Sequence, residues 1–161
     1  RENNVGWTPL QMAALIGNLG MVRLLVDAGA GVDRENNDGW TPLHEAALSG
    51  NEAVVRCLVN AEADINKVGN DGMTPLHMAA HHGHEAIAQC LVDGGADINK
   101  TDHSGKSPLY WAIVGGSAEI VKTLIEAGCH FDCGKNSCPL FLAVSNGNSR
   151  VVQELLKYIK L

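Results

Sequence analysis

Five prolines divide the chain into segments of nearly equal length, and this regularity constrains the fold more than any other feature. They are Pro9, Pro42, Pro75, Pro108 and Pro139, so the successive spacings are 33, 33, 33 and 31 residues. Each proline is followed by a leucine, then by an alanine four residues on, a glycine eight residues on and a leucine sixteen residues on. Such self-similarity indicates a stack of like units rather than a single globular core.

Each period carries the signals for two short helices and a turn. Thr41 precedes Pro42, and a hydroxyl in that position caps the first turn of a helix that begins with proline. Gly50 then ends this helix in a left-handed conformation. A second helix follows with an apolar face in residues 54–59, and Gly39 supplies the turn before the threonine. One unit cannot bury its apolar face alone, so we expect neighbouring units to stack.

The motif Thr-Pro-Leu-His-x-Ala-Ala occurs at residues 41–47 and 74–80, and together with the period of 33 it resembles the ankyrin repeat. The resemblance implies an all-α repeat solenoid of stacked helix-turn-helix units with protruding β-turn fingers, curved so that the fingers and first helices line a concave face. It extends over the whole chain as a single array of about five units. We place them at residues 1–35, 36–68, 69–101, 102–132 and 133–161.

Composition and motifs exclude several classes of function. A formal charge of −6 disfavours a nucleic-acid surface, which requires clustered lysine and arginine. No apolar run approaches the roughly 20 residues that span a bilayer, so we expect no membrane insertion. The five cysteines cannot all pair within the chain, which favours a reducing setting, cytoplasm or nucleus. Nucleophile elbows, phosphate loops and dinucleotide fingerprints are absent, so we expect neither enzyme activity nor a cofactor.

The positions that differ between units carry the functional signal, because a fixed scaffold presents its variable residues to partners. The residue before each capping position is Trp7, Trp40, Met73, Lys106 and Ser137 in turn. We expect the first three to form an exposed apolar row that contacts a protein or peptide, since exposed aromatic residues are enriched at interaction hot spots. The alternative is that these rings only cover neighbouring turns.

The first helices and the finger tips extend this surface. Leu15 belongs to it unless an upstream unit covers that side chain. Asp38 and Asp71 lie near the finger tips and would steer a partner, or else form part of a solvated edge in which acids alternate with bases. The predicted partner-binding residues are Trp7, Trp40, Met73, Lys106, Leu15, Leu48, His81, His82, Trp111, Asp38 and Asp71.

A second hypothesis concerns the context of the array. Residues 1–4 repeat at residues 34–37, so the chain begins inside a unit. We therefore expect a monomeric array within a longer chain, where it would serve as the regulatory or targeting arm of a protein such as a ubiquitin-ligase receptor, a channel or a scaffold.

A third hypothesis is a metal site built on histidines. His77 and His81 are four residues apart on one helix, which is a workable ligand spacing. However, we expect His77 to bind Thr74, as the motif implies. Cys129, His130, Cys133 and Cys138 lack paired Cys-x-x-Cys spacing, so we expect no metal there either.

The resemblance also implies asparagine hydroxylation in the fingers. Asn66 and Asn99 match that position, because each follows a leucine by eight residues (Leu58 and Leu91).

Overall fold

Each of the five prolines begins an α-helix in the computed structural model, which describes residues 6–131 and 138–159. Across these two ranges the secondary structure is entirely helical, with ten helices in five pairs. The helices are α1 (Pro9–Ile16), α2 (Leu19–Asp27), α3 (Pro42–Ser49), α4 (Glu52–Asn60), α5 (Pro75–His82), α6 (Glu85–Asp93), α7 (Pro108–Gly115), α8 (Ala118–Glu126), α9 (Pro139–Ser145) and α10 (Ser149–Leu156). The all-α fold predicted from the repeat is confirmed.

The helix ends follow from the residues that cap them. The Oγ atoms of Thr8, Thr74 and Ser107 accept the backbone N–H three residues on, at 3.2, 3.4 and 3.3 Å respectively. The glycine eight residues after each of the first four prolines ends its helix with φ between 71° and 80°. In the fifth pair Cys138 precedes the proline and makes no capping hydrogen bond with its side chain.

One helix ending is strained. Glu62 has φ 62°, where the equivalent positions of other units carry Gly29, Gly95 and Gly128. A left-handed conformation crowds the Cβ atom of any residue other than glycine.

The helices form two layers with the core between them. The odd-numbered helices stack in chain order in one layer and the even-numbered helices in the other. The leucine after each of the first four prolines is buried, as are the alanines that let adjacent helices approach closely. Burying a leucine contributes about 2 kcal/mol, so the energy that holds the stack together is spread over every unit boundary.

Side chains inside the first-helix layer tie each unit to the next. The Nδ1 atom of His44 accepts the Thr41 backbone N–H at 3.1 Å, and its Nε2 lies 3.1 Å from the Met73 carbonyl. Because a carbonyl only accepts, the proton of the ring resides on Nε2, which donates to it. His77 repeats the pattern with Thr74 at 3.1 Å and the Lys106 carbonyl at 3.2 Å.

Gln11 makes the same pair of bonds without an imidazole ring. Its Oε1 accepts the Thr8 N–H at 2.7 Å, and its Nε2 donates to the Trp40 carbonyl at 2.7 Å. Gln11, His44 and His77, the linking residues, therefore occupy equivalent positions and join three successive unit boundaries. The sequence predicted only the contact between His77 and Thr74.

The two linking histidines must stay neutral for these bonds to persist. Burial lowers the pKa of His44 to about 4, and burial also lowers the pKa of His77. A second proton on Nδ1 would face the threonine N–H that this atom accepts. Protonation therefore breaks the bond within the unit and places a charge in the core.

We predict that His44 makes the array sensitive to acid. Its folded-state pKa lies below the unfolded value of 6.5, so its stabilising contribution is present above pH 6.5 and is lost as the pH falls towards 4. The loss from this group is on the order of 2–3 kcal/mol. His44→Gln, which copies the residue found at Gln11, should keep the stability of the parent at pH 7.5 and show a smaller loss between pH 6.5 and pH 4.

Urea unfolding at several pH values measures this difference. His44→Ala serves as the control, because it removes both bonds and should lower the free energy of unfolding by about 2 kcal/mol or more at pH 7.5. An acid loss in His44→Gln equal to that of the parent would show that His44 is not responsible.

Candidate partner-binding surface

The fingers present the candidate residues on a regular frame. In three fingers the same turn recurs, because the backbone N–H groups of Asn36, Gly69 and Asp102 donate to the carbonyls four residues on, each at 2.9 Å. Adjacent fingers are also joined through their backbones. The N–H of Asn70 donates to the Asp38 carbonyl at 2.8 Å, and the equivalent bond to the Asp71 carbonyl measures 2.9 Å. The fingers therefore form a continuous edge rather than independent loops.

The predicted apolar row of Trp7, Trp40 and Met73 is half-buried rather than fully exposed. The Trp40 ring stacks on the imidazole of His44, with 6.3 Å between centroids and 13° between planes. It also lies against Gly69 in the next finger, where an added Cβ would come within 2.6 Å of the Trp40 Cδ1 atom. Trp40 thus covers a neighbouring turn, which was the alternative interpretation of this position, and it leaves only part of its ring accessible.

The first-helix candidates of the first two units are also half-buried. Leu48 packs against the core, and Leu15 has intermediate exposure. Met12 and Ile16 on the same helix as Leu15 are more open, with 42% and 69% of their surfaces exposed. The first unit therefore offers the greater apolar area to solvent.

The third and fourth units bring five candidate or neighbouring residues into one contiguous group, which we call the ring cluster: His81, His82, Tyr110, Trp111 and Lys106. The His81 centroid lies 4.8 Å from that of Trp111 and 4.8 Å from that of His82. The Tyr110 ring meets Trp111 edge to face at 5.4 Å. The ammonium of Lys106 lies 4.4 Å from the centre of the Tyr110 ring. The sequence analysis placed four of these residues on the partner-binding surface, and Tyr110 was not among the predicted contacts.

Burial disfavours the charged form of His81, and a hydrogen bond fixes the tautomer of the neutral His82 ring. Burial, followed by the nearby His82, lowers the pKa of His81. The Nδ1 of exposed His82 donates to the Met78 carbonyl at 3.0 Å, so the neutral ring keeps Nε2 as an acceptor. The His84 ring stacks beside it, with 6.1 Å between the ring centroids, and the Nε2 of His84 donates to the Leu48 carbonyl at 3.0 Å.

Asp102 connects the fourth finger to the ring cluster. Its Oδ1 accepts the backbone N–H groups of Ser104 and Lys106 at 2.8 and 2.9 Å, and its Oδ2 accepts the indole N–H of Trp111 at 2.9 Å. Burial alone would raise the pKa of Asp102, but the hydrogen bonds from Lys106, Trp111 and Ser104 outweigh it and hold the pKa below its usual value. The carboxylate is therefore ionised at neutral pH.

The second unit carries a buried acid at the position equivalent to Trp111. Glu45 is only 1% exposed, and its Oε1 accepts a long hydrogen bond of 3.4 Å from Nδ2 of Asn36, the residue equivalent to Asp102. Burial, reinforced by Asp38, raises the pKa of Glu45 to about 7. The sequence did not identify this acid, although the equivalent Met12 and Met78 mark the position as apolar.

The asparagines expected to be hydroxylated link adjacent fingers. The Oδ1 of Asn66 accepts the Asp97 N–H at 2.7 Å, and its Nδ2 donates to the Gly95 carbonyl at 3.2 Å. The Oδ1 of Asn99 accepts the His130 N–H at 2.6 Å. Both side chains thus contribute to the stack.

Within residues 6–131 and 138–159, no three His, Cys, Asp or Glu side chains come close enough together to hold a metal ion. Cys57, Cys90 and Cys129 are free thiols, and burial raises the pKa of Cys129 to about 11. Cys133 and Ser137 lie outside the described residues. No helix in the described part is long and apolar enough to cross a membrane.

A groove of about 800 Å³ lies between the fourth and fifth helix pairs. Its lining includes Lys106 and Tyr110 of the ring cluster together with Phe131 and Phe141. Its lining also includes Cys138, and because residues 132–137, between Phe131 and Cys138 in the sequence, lie outside the described part of the chain, we assign the groove no ligand.

Comparison with known families agrees with the geometry. The family model for ankyrin repeats (3 copies) matches residues 1–69 and again residues 62–135. The chain therefore belongs to the ankyrin repeat family. Such repeats are generally protein–protein interaction modules and are typically non-catalytic. A search of curated proteins gave no match.

We predict that Glu45 weakens the array at alkaline pH. The folded-state pKa of about 7 exceeds the unfolded value of 4.5, so its stabilising contribution is complete below pH 4.5 and is lost as the pH rises through 7. Glu45→Met, which copies Met12 and Met78, should raise the free energy of unfolding by about 1–3 kcal/mol at pH 8.5. Its gain at pH 4.5 should be much smaller.

Urea unfolding at both pH values tests this, with Glu126→Gln on an outer helix as the exposed control. A gain of equal size at the two pH values would mean that packing, rather than ionisation, accounts for the effect.

Hydroxylation of Asn66 and Asn99 stays a prediction. Protein isolated from its natural source should carry one or two added oxygen atoms, which peptide mass spectrometry would localise. Asn99→Ala should remove only the modification assigned to that residue. Unmodified peptides at both positions would contradict the prediction.

Proposed function

We propose that the chain is a non-catalytic scaffold that binds a protein or peptide partner on the concave face and the finger tips. The ring cluster carries this proposal, because it gathers aromatic groups on the side of the array that the fingers border. Aromatic residues anchor protein interfaces through large contact areas. The proposed contact residues are Trp7, Trp40, Met73, Lys106, Leu15, Leu48, His81, His82, Trp111, Asp38 and Asp71.

Rigidity of the frame supports this proposal. The linking residues fix the first four units relative to one another, and the backbone bonds between fingers fix the edge. A surface that is ordered before binding loses less conformational entropy when the partner docks. The half-buried positions of Trp40 and Met73 suit such a surface, since each keeps an accessible part while the rest of its side chain packs in the stack.

The proposed surface is acidic at one end and carries a cation at the other. Asp38 and Asp71 are exposed at the tips of two adjacent fingers. The next finger carries Ser104 at the equivalent tip position, and it carries Lys106 where its neighbours have Trp40 and Met73. A partner would be oriented by acidic groups at one end of its footprint and by a cation at the other.

The proposed setting is the cytoplasm or nucleus. Cys57 in α4 and Cys90 in α6 are half-buried free thiols. Such thiols persist in a reducing compartment.

The test is affinity capture with the intact chain and two matched variants. The surface variant combines Asp38→Lys with His82→Glu, both at exposed side chains on the proposed face. The control variant combines Glu126→Lys with Asn60→Glu at the exposed C-terminal ends of α8 and α4. It changes the net charge by the same amount at neutral pH. All three proteins should unfold at similar urea concentrations.

Partners retained by the parent and the control, but reduced at least tenfold by the surface variant, are the expected result. Quantitative mass spectrometry of the eluates measures this ratio. If the surface variant retains the same partners as the parent, binding occurs on another face and the proposal fails.

A further inference from the structure

A buried carboxylate holds the indole N–H of Trp111. The bond to Asp102 measures 2.9 Å, and Asp102 is only 7% exposed, so water competes little for it. Two bonds from the backbone of the fourth finger fix the other oxygen of the same carboxylate. The finger therefore determines the orientation of the indole.

Ring contacts restrict the indole from two further directions. His81 approaches at 4.8 Å with 52° between planes, and Tyr110 meets it at 5.4 Å with 86° between planes. Trp111 is nevertheless only half-buried. Part of the indole is thus held in one orientation and still accessible, which suits a preorganised contact.

In another unit the two equivalent positions are also joined by a side-chain hydrogen bond, but the donor and the acceptor are exchanged. In the second unit Asn36 donates to Glu45, whereas in the fourth unit Asp102 accepts from Trp111. In the third unit the pair is Gly69 and Met78, which has no side-chain bond to make. The finger residue therefore determines whether the variable first-helix side chain accepts a hydrogen bond, donates one or makes none.

We propose that Asp102 is a positioning residue for partner recognition, which holds Trp111 so that the ring cluster receives an aromatic or long aliphatic side chain lying next to a carboxylate. This inference rests on the proposed function. The uncharged faces of Trp111 and His81 suit the apolar side chain. The ammonium of Lys106, one ring away over Tyr110, suits the carboxylate.

Charge complementarity favours this partner over a basic one. Lys106 replaces the apolar Trp40 and Met73 of the preceding units, so a cation occurs where the ring cluster lies. The acidic finger tips Asp38 and Asp71 belong to the two preceding fingers. A basic peptide would find its complement there and not at the cluster.

The informative variant is Asp102→Asn. Asn36 shows that asparagine supports the finger turn, because its Oδ1 accepts the N–H groups of Asp38 and Trp40 at 2.9 and 3.0 Å. The remaining side-chain group of an asparagine is an NH2, which cannot accept the indole N–H. The variant therefore keeps the finger and releases Trp111.

The first measurement is hydrogen exchange of the indole N–H by NMR in the full 161-residue chain, with the Trp111 signal assigned by its loss in Trp111→Met. In Asp102→Asn, exchange at Trp111 should accelerate at least tenfold, while the amides of Ser104 and Lys106 keep their protection. Unchanged exchange at Trp111 would overturn the inference.

The second measurement uses peptides selected from a random library on the parent chain. The expected sequences pair an aromatic or aliphatic residue with aspartate or glutamate. Asp102→Asn should weaken these peptides roughly three- to tenfold. In the Trp111→Met background, Asp102→Asn should have no further effect, since the two residues act as one unit. Lys122→Ala on the outer helix α8 is the control that should bind as the parent does.

The outcomes separate the two proposals. If Trp111→Met weakens the peptides and Asp102→Asn does not, the proposed function stands and the role of Asp102 is refuted. If Asp102→Asn weakens binding equally with and without Trp111, the residue acts by another route and the inference fails. Selection of basic peptides refutes the stated partner chemistry. If neither variant has an effect and the variant that combines Asp38→Lys with His82→Glu also binds normally, the proposed function itself fails.

Discussion

The structure depends on a hydrogen bond between each linking residue and a carbonyl of the next unit. Each unit is too small to bury its own apolar face, so it must stack on its neighbours. Gln11, His44 and His77 add directional bonds to that packing, because each satisfies the capping position of its own helix and reaches a carbonyl 29 residues further on. The start of each of these helices is thereby joined to the finger of the neighbouring unit.

Much of this architecture was predictable from the sequence, because it depends on backbone conformation and on period. The prolines, the hydroxyls before them and the glycines after them determine where helices begin and end. The equivalence of Gln11 to the motif histidines was not recognised, since it lies in bond geometry rather than in residue type. The burial of Glu45 was missed for a related reason. Exposure at a variable position depends on what neighbouring side chains cover, and the period does not contain that information.

The candidate surface shows the same division. Sequence comparison between units identified the variable positions, but the structure shows that these positions differ in how they are held. Trp40 packs over a neighbouring turn and the linking histidine below it. Trp111 is held by a carboxylate from its own finger. Four of the five residues in the ring cluster were predicted to contact a partner. Their contacts with one another and with Tyr110 could not be predicted, because these contacts join two units and a finger.

The equivalence of glutamine and histidine at the linking position has an evolutionary consequence. Either side chain makes the same two bonds, but only the imidazole can take up a proton as the pH falls. Exchanges between the two would alter the acid tolerance of an individual boundary while leaving the geometry of the stack intact. Lineages of such arrays are therefore free to adapt to compartments of different acidity without redesigning the residues that choose their partners.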